Sequence, residues 1–214
     1  MITVAQEQSI RTTLAAMPAL AVGLGTQDQA CSIAALNLGL TGTLTDRVPD
    51  CMSAAIGRWI IGVQDRMPAT IRDSAVWREL LVLSAGTGRE HEPERRALVM
   101  DWMWDALALL QPRADAKGYG DTWAKMLRER TPGSARAAYA SAAADAAAAA
   151  SAAEAAAAAA YASASAAAAA AAAAAEAAAA YAYAYAAAWD TIDPVGLLRR
   201  LVAVTDERAL AVPA

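Results

Sequence analysis

The feature that most constrains this chain is a tract of alanine between residues 134 and 188. Of its 55 residues, 41 are alanine, and none is glycine or proline. Alanine is the best helix former, because its side chain loses no entropy in a helix and has no polar group that competes for the backbone. At about 1.5 Å per residue, an unbroken helix over the tract would be roughly 80 Å long. We expect one very long helix; a hairpin of two alanine helices is the alternative, although the tract contains no turn signal.

The larger residues within the tract are regularly spaced. Glu154, Ser165 and Glu176 are 11 residues apart, and Tyr139 and Tyr161 are separated by twice that distance. An 11-residue repeat has about 3.67 residues per turn, the period of a right-handed supercoil. On this period the larger residues form two stripes and leave a broad sector of alanine alone, which a second helix could approach closely. A 20-residue spacing fits almost as many positions, so the period stays one of two interpretations.

The end of the tract, AEAAAAYAYAYAAAW, concentrates its aromatic residues. Read alone, tyrosine at every second position indicates a strand, but the unbroken alanine before it favours a helix. In a helix the aromatic side chains form two opposite stripes, and the last ones anchor the helix where the chain re-enters the folded part. We therefore predict six interaction residues: Tyr139, Tyr161, Tyr181, Tyr183, Tyr185 and Trp189.

Residues 1–133 have an ordinary globular composition and a helical rhythm. Short apolar-periodic segments alternate with Gly, Pro and Asp, and runs of β-branched residues are rare. Helices are predicted through CSIAALNL, capped by Thr26 or Asp28, and through MSAAIGRWIIGVQDR, IRDSAVWRELLVL, ERRALVMDWMWDALALL (which stops before Pro112) and DTWAKMLRER. Asp193 and Pro194 fit the N-cap and first residue of a further helix, PVGLLRRLVAV.

These elements predict an all-α protein with three parts. A helical bundle is expected over residues 1–133, the alanine-rich long helix over 134–190, and a C-terminal helix and tail over 191–214. The apolar C-terminal helix is expected to dock back on the bundle. The long helix would then be an insertion that is held at both ends.

Charge and the N-terminal sequence restrict the partners and the compartment. The net charge is −4 and the pI is near 5.0, which provides no overall basic field for nucleic acid or an anionic membrane. The N-terminal segment has no basic region and contains Glu7 and Pro18, unlike a signal peptide. Cys31 and Cys51 lie in apolar surroundings typical of buried thiols in a reducing compartment, with one disulfide as the alternative. We expect a cytoplasmic protein without nucleic-acid or membrane partners.

Two loop patterns could carry chemistry, and each has a simpler interpretation. Glu90, His91, Glu92 and Glu94 supply metal-ligand residue types. However, neighbouring positions do not converge on one ion, and acidic residues at a helix start are favoured by the helix dipole. The sequence 86–89, GTGR, could form an anion-binding nest, but it lacks the lysine and the length of a P-loop.

The helical segments contain two further candidates. Asp101 and Asp105 share one helix face, where solvated carboxylates are more common than an acid–base pair. The tryptophans indicate a core or an interface patch: Trp59, Trp77, Trp102, Trp104 and Trp123. With one histidine and no spacing that supports a catalytic triad, we expect no catalytic, metal or cofactor site, and no enzyme.

The segments CSIAALNLGLTGTLTDRVPDCMSAAIGRWIIGVQDRMP, LSAGTGRE, DWMWDAL and WDTIDPVGLLRRLVAV, together with the Ala/Tyr tract, carry a family resemblance. The chain is similar to uncharacterised alanine-rich proteins of high-GC bacteria and their phages, a resemblance that implies no activity and no site residues. Alanine-rich tracts also occur in immunity proteins of polymorphic toxins, a compositional similarity that raises the expectation of an inhibitor or binder.

Two functions follow as hypotheses. The first is a non-enzymatic structural or assembly protein that self-associates through the alanine face, since alanine helices depend on tertiary contacts for stability. The alternative is an immunity or anti-defence protein that binds and blocks one protein partner. The predicted partner is accordingly either a second copy of the chain or one other protein.

Overall fold

The computed structural model describes residues 2–131, 133–138, 140–142, 144, 189 and 191–213. These residues form helices, turns and loops without a strand, and their one β-type pairing is an isolated antiparallel bridge between Gly25 and Ala30. The predicted all-α class is confirmed. The longest helix in this set has 17 residues, and most of the predicted long helix over 134–190 lies outside the described residues.

The named helices lie before and after the alanine-rich tract. In chain order they are α1 (Val4–Ala16), α2 (Ser32–Thr41), α3 (Ala54–Gln64), α4 (Ala69–Arg72), α5 (Ala75–Ser84), α6 (Glu92–Ala108), α7 (Gln111–Ala116), α8 (Gly120–Glu129) and α9 (Pro194–Ala203), followed by a 3-10 helix (Glu207–Ala211). Residues 133–138 and 140–142, at the start of the tract, are also helical. None of the described helices is both long and apolar enough to cross a membrane.

The chain divides into two compact units. Unit 1 contains Met1–Trp102 and Asp193–Ala214, and unit 2 contains Met103–Ile192. Helix α6 contributes to both units, because the division falls within it. The predicted domain boundaries, at 133/134 and 190/191, stay predictions.

The core of unit 1 forms where α1, α2, α5 and α9 pack together. Helix α1 packs most extensively on α2, and Gly39 makes their close approach possible, since a Cβ there would lie 2.6 Å from the Cα of Ile10. Helix α5 contacts both α1 and α9, so the C-terminal helix docks on the N-terminal part of the chain, as the sequence predicts. The side chains in this core are almost fully buried: Ile10, Leu14, Ile33, Leu36, Leu80, Leu81, Leu197 and Leu201.

Helix α1 is not among the predicted helices, although the sequence contains a signal for its start. Thr3 and Gln6 form a capping box: the Thr3 hydroxyl accepts from the Gln6 amide at 3.2 Å, and Gln6 Oε1 accepts from the Thr3 amide at 2.9 Å. A Thr-x-x-Gln pattern is a known marker of a helix N-terminus. The pattern was sufficient to predict this helix.

The start of α2 differs from the prediction. Cys31, rather than Thr26 or Asp28, is its N-cap, and Cys31 Sγ accepts from the Ala34 amide at 3.4 Å. The two predicted caps belong to a closed turn, in which the Thr26 amide donates to the Gln29 carbonyl at 3.0 Å. Thr26 and Asp28 therefore lie in this turn, and α2 begins after it, at Ser32.

Two other predicted segments end differently in the structure. IRDSAVWRELLVL is split, because Ser74 caps α5 by accepting from the Trp77 amide at 3.1 Å, and the residues before it form the separate helix α4. Helix α6 ends at Ala108, and Pro112 lies in the first turn of α7. The backbone amides in the first turn of a helix have no acceptor within the helix, so a proline, which lacks the N–H, loses no hydrogen bond there. Pro112 therefore lies at the start of α7 instead of ending α6.

The predicted start of the C-terminal helix is confirmed. Asp193 is its N-cap, with Oδ1 accepting from the Gly196 amide at 2.8 Å, and Pro194 is the first helical residue. Asp193 has a left-handed backbone with φ 43°, which is uncommon for a residue other than glycine. A Cβ at Gly196 would lie 1.9 Å from Asp193 Oδ2, so this cap requires glycine at position 196.

Unit 2 has a small core of its own. Trp104, Met126 and Ala138 are buried together, and Trp123 and Ala135 are among the half-buried residues packed against them. Trp123 Nε1 donates to the Leu107 carbonyl at 3.0 Å. The first alanines of the tract therefore already serve as a packing surface.

Candidate functional site

Unit 1 contains a cleft of about 610 Å³. It forms where three segments meet: the start of α1, the end of α5 with the loop to α6, and the chain from α9 into the 3-10 helix. Its volume lies within the range of ordinary small-ligand sites. The residues that line it are Ile2, Glu7, Val82, Leu83, Gly86, Thr87, Gly88, Glu90, His91, Val204, Thr205, Asp206 and Arg208.

One side of the cleft is a charged network centred on Arg208. Its guanidinium donates to Asp206, with Nη2 2.6 Å from Oδ2, and Nη1 lies 3.4 Å from Glu7 Oε2. Glu7 also accepts from Arg11 Nη2 at 2.9 Å. The hydrogen bond from Arg11 lowers the pKa of Glu7 against an opposing effect of burial, and the hydrogen bond from Arg208 lowers the pKa of Asp206. Both carboxyl groups are therefore anionic at neutral pH.

The cleft is also lined by the loop 86–88, part of the segment GTGR that could form an anion-binding nest. Gly88 has φ 62°, and its amide donates to the Cys51 carbonyl at 2.9 Å. The Thr87 hydroxyl donates to the Ser84 carbonyl at 2.8 Å and accepts from the Ser53 amide at 3.0 Å. Because these donors are used within the protein, the loop does not present a nest of free amides to an anion.

A fully buried arginine holds this loop to the C-terminal helix. Arg95 Nε donates to the Leu201 carbonyl at 3.0 Å, and Nη2 donates to the Thr87 carbonyl at 3.2 Å and to the Thr205 hydroxyl at 2.8 Å. Burial lowers the pKa of the Arg95 guanidinium, and nearby glutamates, Glu92 first among them, oppose that shift. Arg95 makes no direct ion pair with a carboxylate among the described residues. Its guanidinium is instead hydrogen-bonded to backbone and hydroxyl oxygens.

The predicted metal-ligand types at 90–94 do not converge. His91 Nδ1 lies 3.0 Å from Glu94 Oε2, and within the part of the chain that the structure describes no group of three or more metal-ligating side chains could hold an ion. Glu90 and His91 line the cleft, whereas Glu92 turns to the N-terminus of α3. The acidic residues thus serve three different purposes.

Glu92 caps a helix that is distant in sequence. Its Oε1 accepts from the Ser53 hydroxyl at 2.5 Å and the Ala54 amide at 2.7 Å, and Oε2 accepts from the Ala55 amide at 3.0 Å. Burial is the largest single influence and raises the pKa of Glu92. The three hydrogen bonds and the nearby Arg96 together outweigh it, so the pKa lies below its usual value. A carboxylate at the start of a helix is also favoured by the helix dipole.

This cap predicts a pH-dependent contribution to stability. Because the pKa of Glu92 is lowered by folding, its contribution is complete above the unfolded-state pKa of about 4.3 and is lost as the pH falls through the lower folded-state pKa. At pH 7, Glu92→Gln should reduce the free energy of unfolding by about 2 kcal/mol, and the difference from the wild type should shrink at acid pH. Urea unfolding followed by circular dichroism between pH 7 and pH 3 measures it.

Glu94→Gln is the matched control, because the Glu94 side chain is 64 % exposed, against 12 % for Glu92. It should change the free energy of unfolding by less than about 0.5 kcal/mol at neutral pH. A constant difference between wild type and Glu92→Gln across the pH range would contradict the assigned charge on the cap.

The remaining candidate residues from the sequence do not form a functional cluster among the described residues. Asp101 and Asp105 are exposed. Three of the tryptophans considered as core or interface are buried and two are half-buried; the buried ones are Trp59, Trp77 and Trp104. Cys31 and Cys51 are free thiols, and burial raises the pKa of Cys51.

Of the six predicted interaction residues, one falls within the described residues. Trp189 is helical and only 7 % exposed. The other five lie outside them: Tyr139, Tyr161, Tyr181, Tyr183 and Tyr185. The interaction role of all six stays a prediction.

The residues that organise the cleft were not identified from the sequence. Glu7 and Arg208 are 201 positions apart, and no local pattern links them. The sequence weakly indicates that Arg95 is buried. Arg95 shares a helical face with the apolar residues Val99 and Trp102, at i, i+4 and i+7, and such a face usually points into the core. Arg96, its neighbour, lies outside that face.

The chain shows no significant match to a protein-family model, a curated protein or a solved structure.

Proposed function

We propose that this chain is a non-enzymatic helical assembly protein that self-associates through its alanine-rich segment. The observation that carries the proposal is the position of this segment between two parts of one folded unit. Unit 1 is built from residues up to Trp102 and from Asp193 onwards, and the bonds from Arg95 to Leu201 and Thr205 join those two parts. A segment held in this way at both ends is suited to presentation as a surface, unlike a free tail.

The packing at the start of the segment supports the proposal. Ala138 is fully buried against Trp104 and Met126, and Ala135 packs beside it. Each buried methyl group contributes roughly 0.8 kcal/mol, and alanine loses almost no side-chain entropy when it is buried. Many alanines in register can therefore stabilise a contact between helices, whereas an isolated alanine helix in water is marginal. A second copy of the segment offers the complementary surface.

The first test removes the part of the segment beyond this packed start. Size-exclusion chromatography with light scattering should give a mass above the 22.0 kDa of one chain at micromolar concentration. A variant in which residues 145–188 are replaced by a Gly/Ser linker should run as a monomer. A monomeric wild type, or an unchanged oligomer after the replacement, would rule the proposal out.

A pair of adjacent substitutions tests the predicted alanine face itself. On the 11-residue period Ser165 occupies the same helical position as Glu154 and Glu176, whereas Ala164 falls in the alanine-only sector. Ala164→Glu would bury an unpaired charge in the contact and should weaken association at least about tenfold, whereas Ser165→Glu should change it less than about twofold. Sedimentation equilibrium measures both constants. Equal effects of the two variants would contradict an alanine face at this register.

The alternative, an immunity or anti-defence protein that blocks one partner, depends on an exposed tryptophan-rich surface. Trp59, Trp77 and Trp104 are buried, so they leave little aromatic surface for such a partner. The described residues therefore favour the assembly proposal. Affinity capture from a host lysate distinguishes the two, since one stoichiometric foreign protein supports the inhibitor and self-association alone supports the assembly protein.

A further inference from the structure

The cleft of unit 1 has no part in the assembly proposal, and its lining defines a ligand class. Its apolar lining residues are Ile2, Val82, Leu83 and Val204. Val82 and Leu83 are buried, whereas Glu90 and Arg208 are exposed. The lining carries three carboxylates, Glu7, Glu90 and Asp206, against one guanidinium, Arg208. Together these four side chains carry a formal charge of −2.

The hydrogen-bond donors of the lining are largely used. Arg208 donates to Asp206 and Glu7, and the Thr87 hydroxyl donates to the Ser84 carbonyl. The backbone amides at 87, 88, 205 and 206 also donate to backbone carbonyls. Since protein donors are occupied in this way, a ligand that depends on accepting hydrogen bonds would find few partners in the cleft.

The acceptors, in contrast, remain available. Glu90 makes no hydrogen bond or ion pair with the described residues, so both of its carboxylate oxygens are open to a ligand. His91 Nδ1 lies 3.0 Å from the Glu94 carboxylate. With the proton on Nδ1 the ring donates to that carboxylate, and Nε2 is then an acceptor. Glu90 and His91 are adjacent in sequence and both line the cleft.

We propose that the cleft binds an alkylammonium or alkylguanidinium group, with its cationic head at Glu90 and His91 and its aliphatic part over Ile2, Val82 and Leu83. A lining that combines buried apolar side chains with unpaired acceptors and a negative net charge matches this amphiphilic cation. The group is available from two sources, a free amine or a lysine or arginine side chain of a peptide.

The test is isothermal titration calorimetry on the full chain at low ionic strength, since salt screens exposed charges. The probes are n-pentylamine, its neutral isostere n-pentanol, and an acetylated, amidated Ala-Lys-Ala peptide. Pentylamine should bind at least about tenfold more tightly than pentanol, because a hydrogen bond between charged groups is stronger than one to a neutral hydroxyl. The peptide arm identifies the source: tighter binding of the peptide than of pentylamine indicates a side chain, and the reverse order indicates a free amine.

Glu90→Gln should weaken pentylamine binding about tenfold. Glu129→Gln, which makes the same chemical change on α8 and outside the cleft lining, should leave binding within about twofold of the wild type. Glu90 is exposed, so the variant should fold, and circular dichroism verifies this. Equal binding of amine and pentanol, equal effects of the two variants, or no binding of either cationic probe at millimolar concentration would overturn the proposal.

Discussion

Replacing Trp77 by alanine is expected to reduce the free energy of unfolding by about 3–5 kcal/mol. The Trp77 side chain is fully buried, its ring centroid is 6.1 Å from that of Trp59, and its Nε1 donates to the Ser32 hydroxyl at 3.2 Å. Alanine would leave a cavity between α5 and α2 and would remove the donor to Ser32. Because native domains are stable by only about 5–15 kcal/mol, this single change should unfold unit 1 under mild conditions. Thermal and urea unfolding followed by circular dichroism measure the loss.

Two further variants separate packing from hydrogen bonding at Trp77. Trp77→Phe keeps most of the buried ring and should lose about 1–3 kcal/mol, from the smaller volume and the missing donor. Ser32→Ala removes only the acceptor and leaves the indole N–H buried, at a cost of about 1–2 kcal/mol. A loss below about 1 kcal/mol for Trp77→Ala would show that this ring does not support the core as described.

Local patterns in the sequence were sufficient to predict most helices before and after the tract. Proline and aspartate at 193–194 identify the start of α9, and the apolar periodicity through MSAAIGRWIIGVQDR identifies α3, because both depend on residues within a few positions of each other. The incorrectly predicted N-cap of α2 also comes from reasoning on neighbouring residues alone. Thr26 and Asp28 are good capping residues, but the turn that contains them is closed by backbone hydrogen bonds, and Cys31 caps α2 instead.

The cleft could not be predicted in this way, because its contacts join distant parts of the chain. Glu92 caps α3 from a position almost forty residues later, and Arg208 reaches Glu7 across nearly the whole chain. Neither contact has a sequence spacing that distinguishes it from a solvated charge. The sequence thus indicates which residues are charged, while tertiary packing determines which of those charges are buried, paired or left open to a ligand.

Arg95→Ala is expected to have the second large effect, again about 3–5 kcal/mol, because three acceptors lose their buried donor and a cavity forms. Arg95 is fully buried, and its side chain joins the carbonyls of Thr87 and Leu201 and the hydroxyl of Thr205. Alanine would leave these acceptors buried without their donor and would open a cavity between the loop and α9. The C-terminal helix should therefore detach more readily, and limited trypsin digestion with mass spectrometry should show faster cleavage after Arg199, Arg200 and Arg208.

The adjacent arginine is a matched control for this prediction. Arg96 is 68 % exposed and lies 3.9 Å from Glu92, so Arg96→Ala should change the free energy of unfolding by less than about 1 kcal/mol. Arg95→Met tests the cause, because methionine restores much of the volume but supplies no donor. If hydrogen bonding dominates, Arg95→Met should stay at least about 2 kcal/mol less stable than the wild type. A fully stable Arg95→Met would contradict this role and show that the cost of burying the guanidinium equals what its hydrogen bonds contribute.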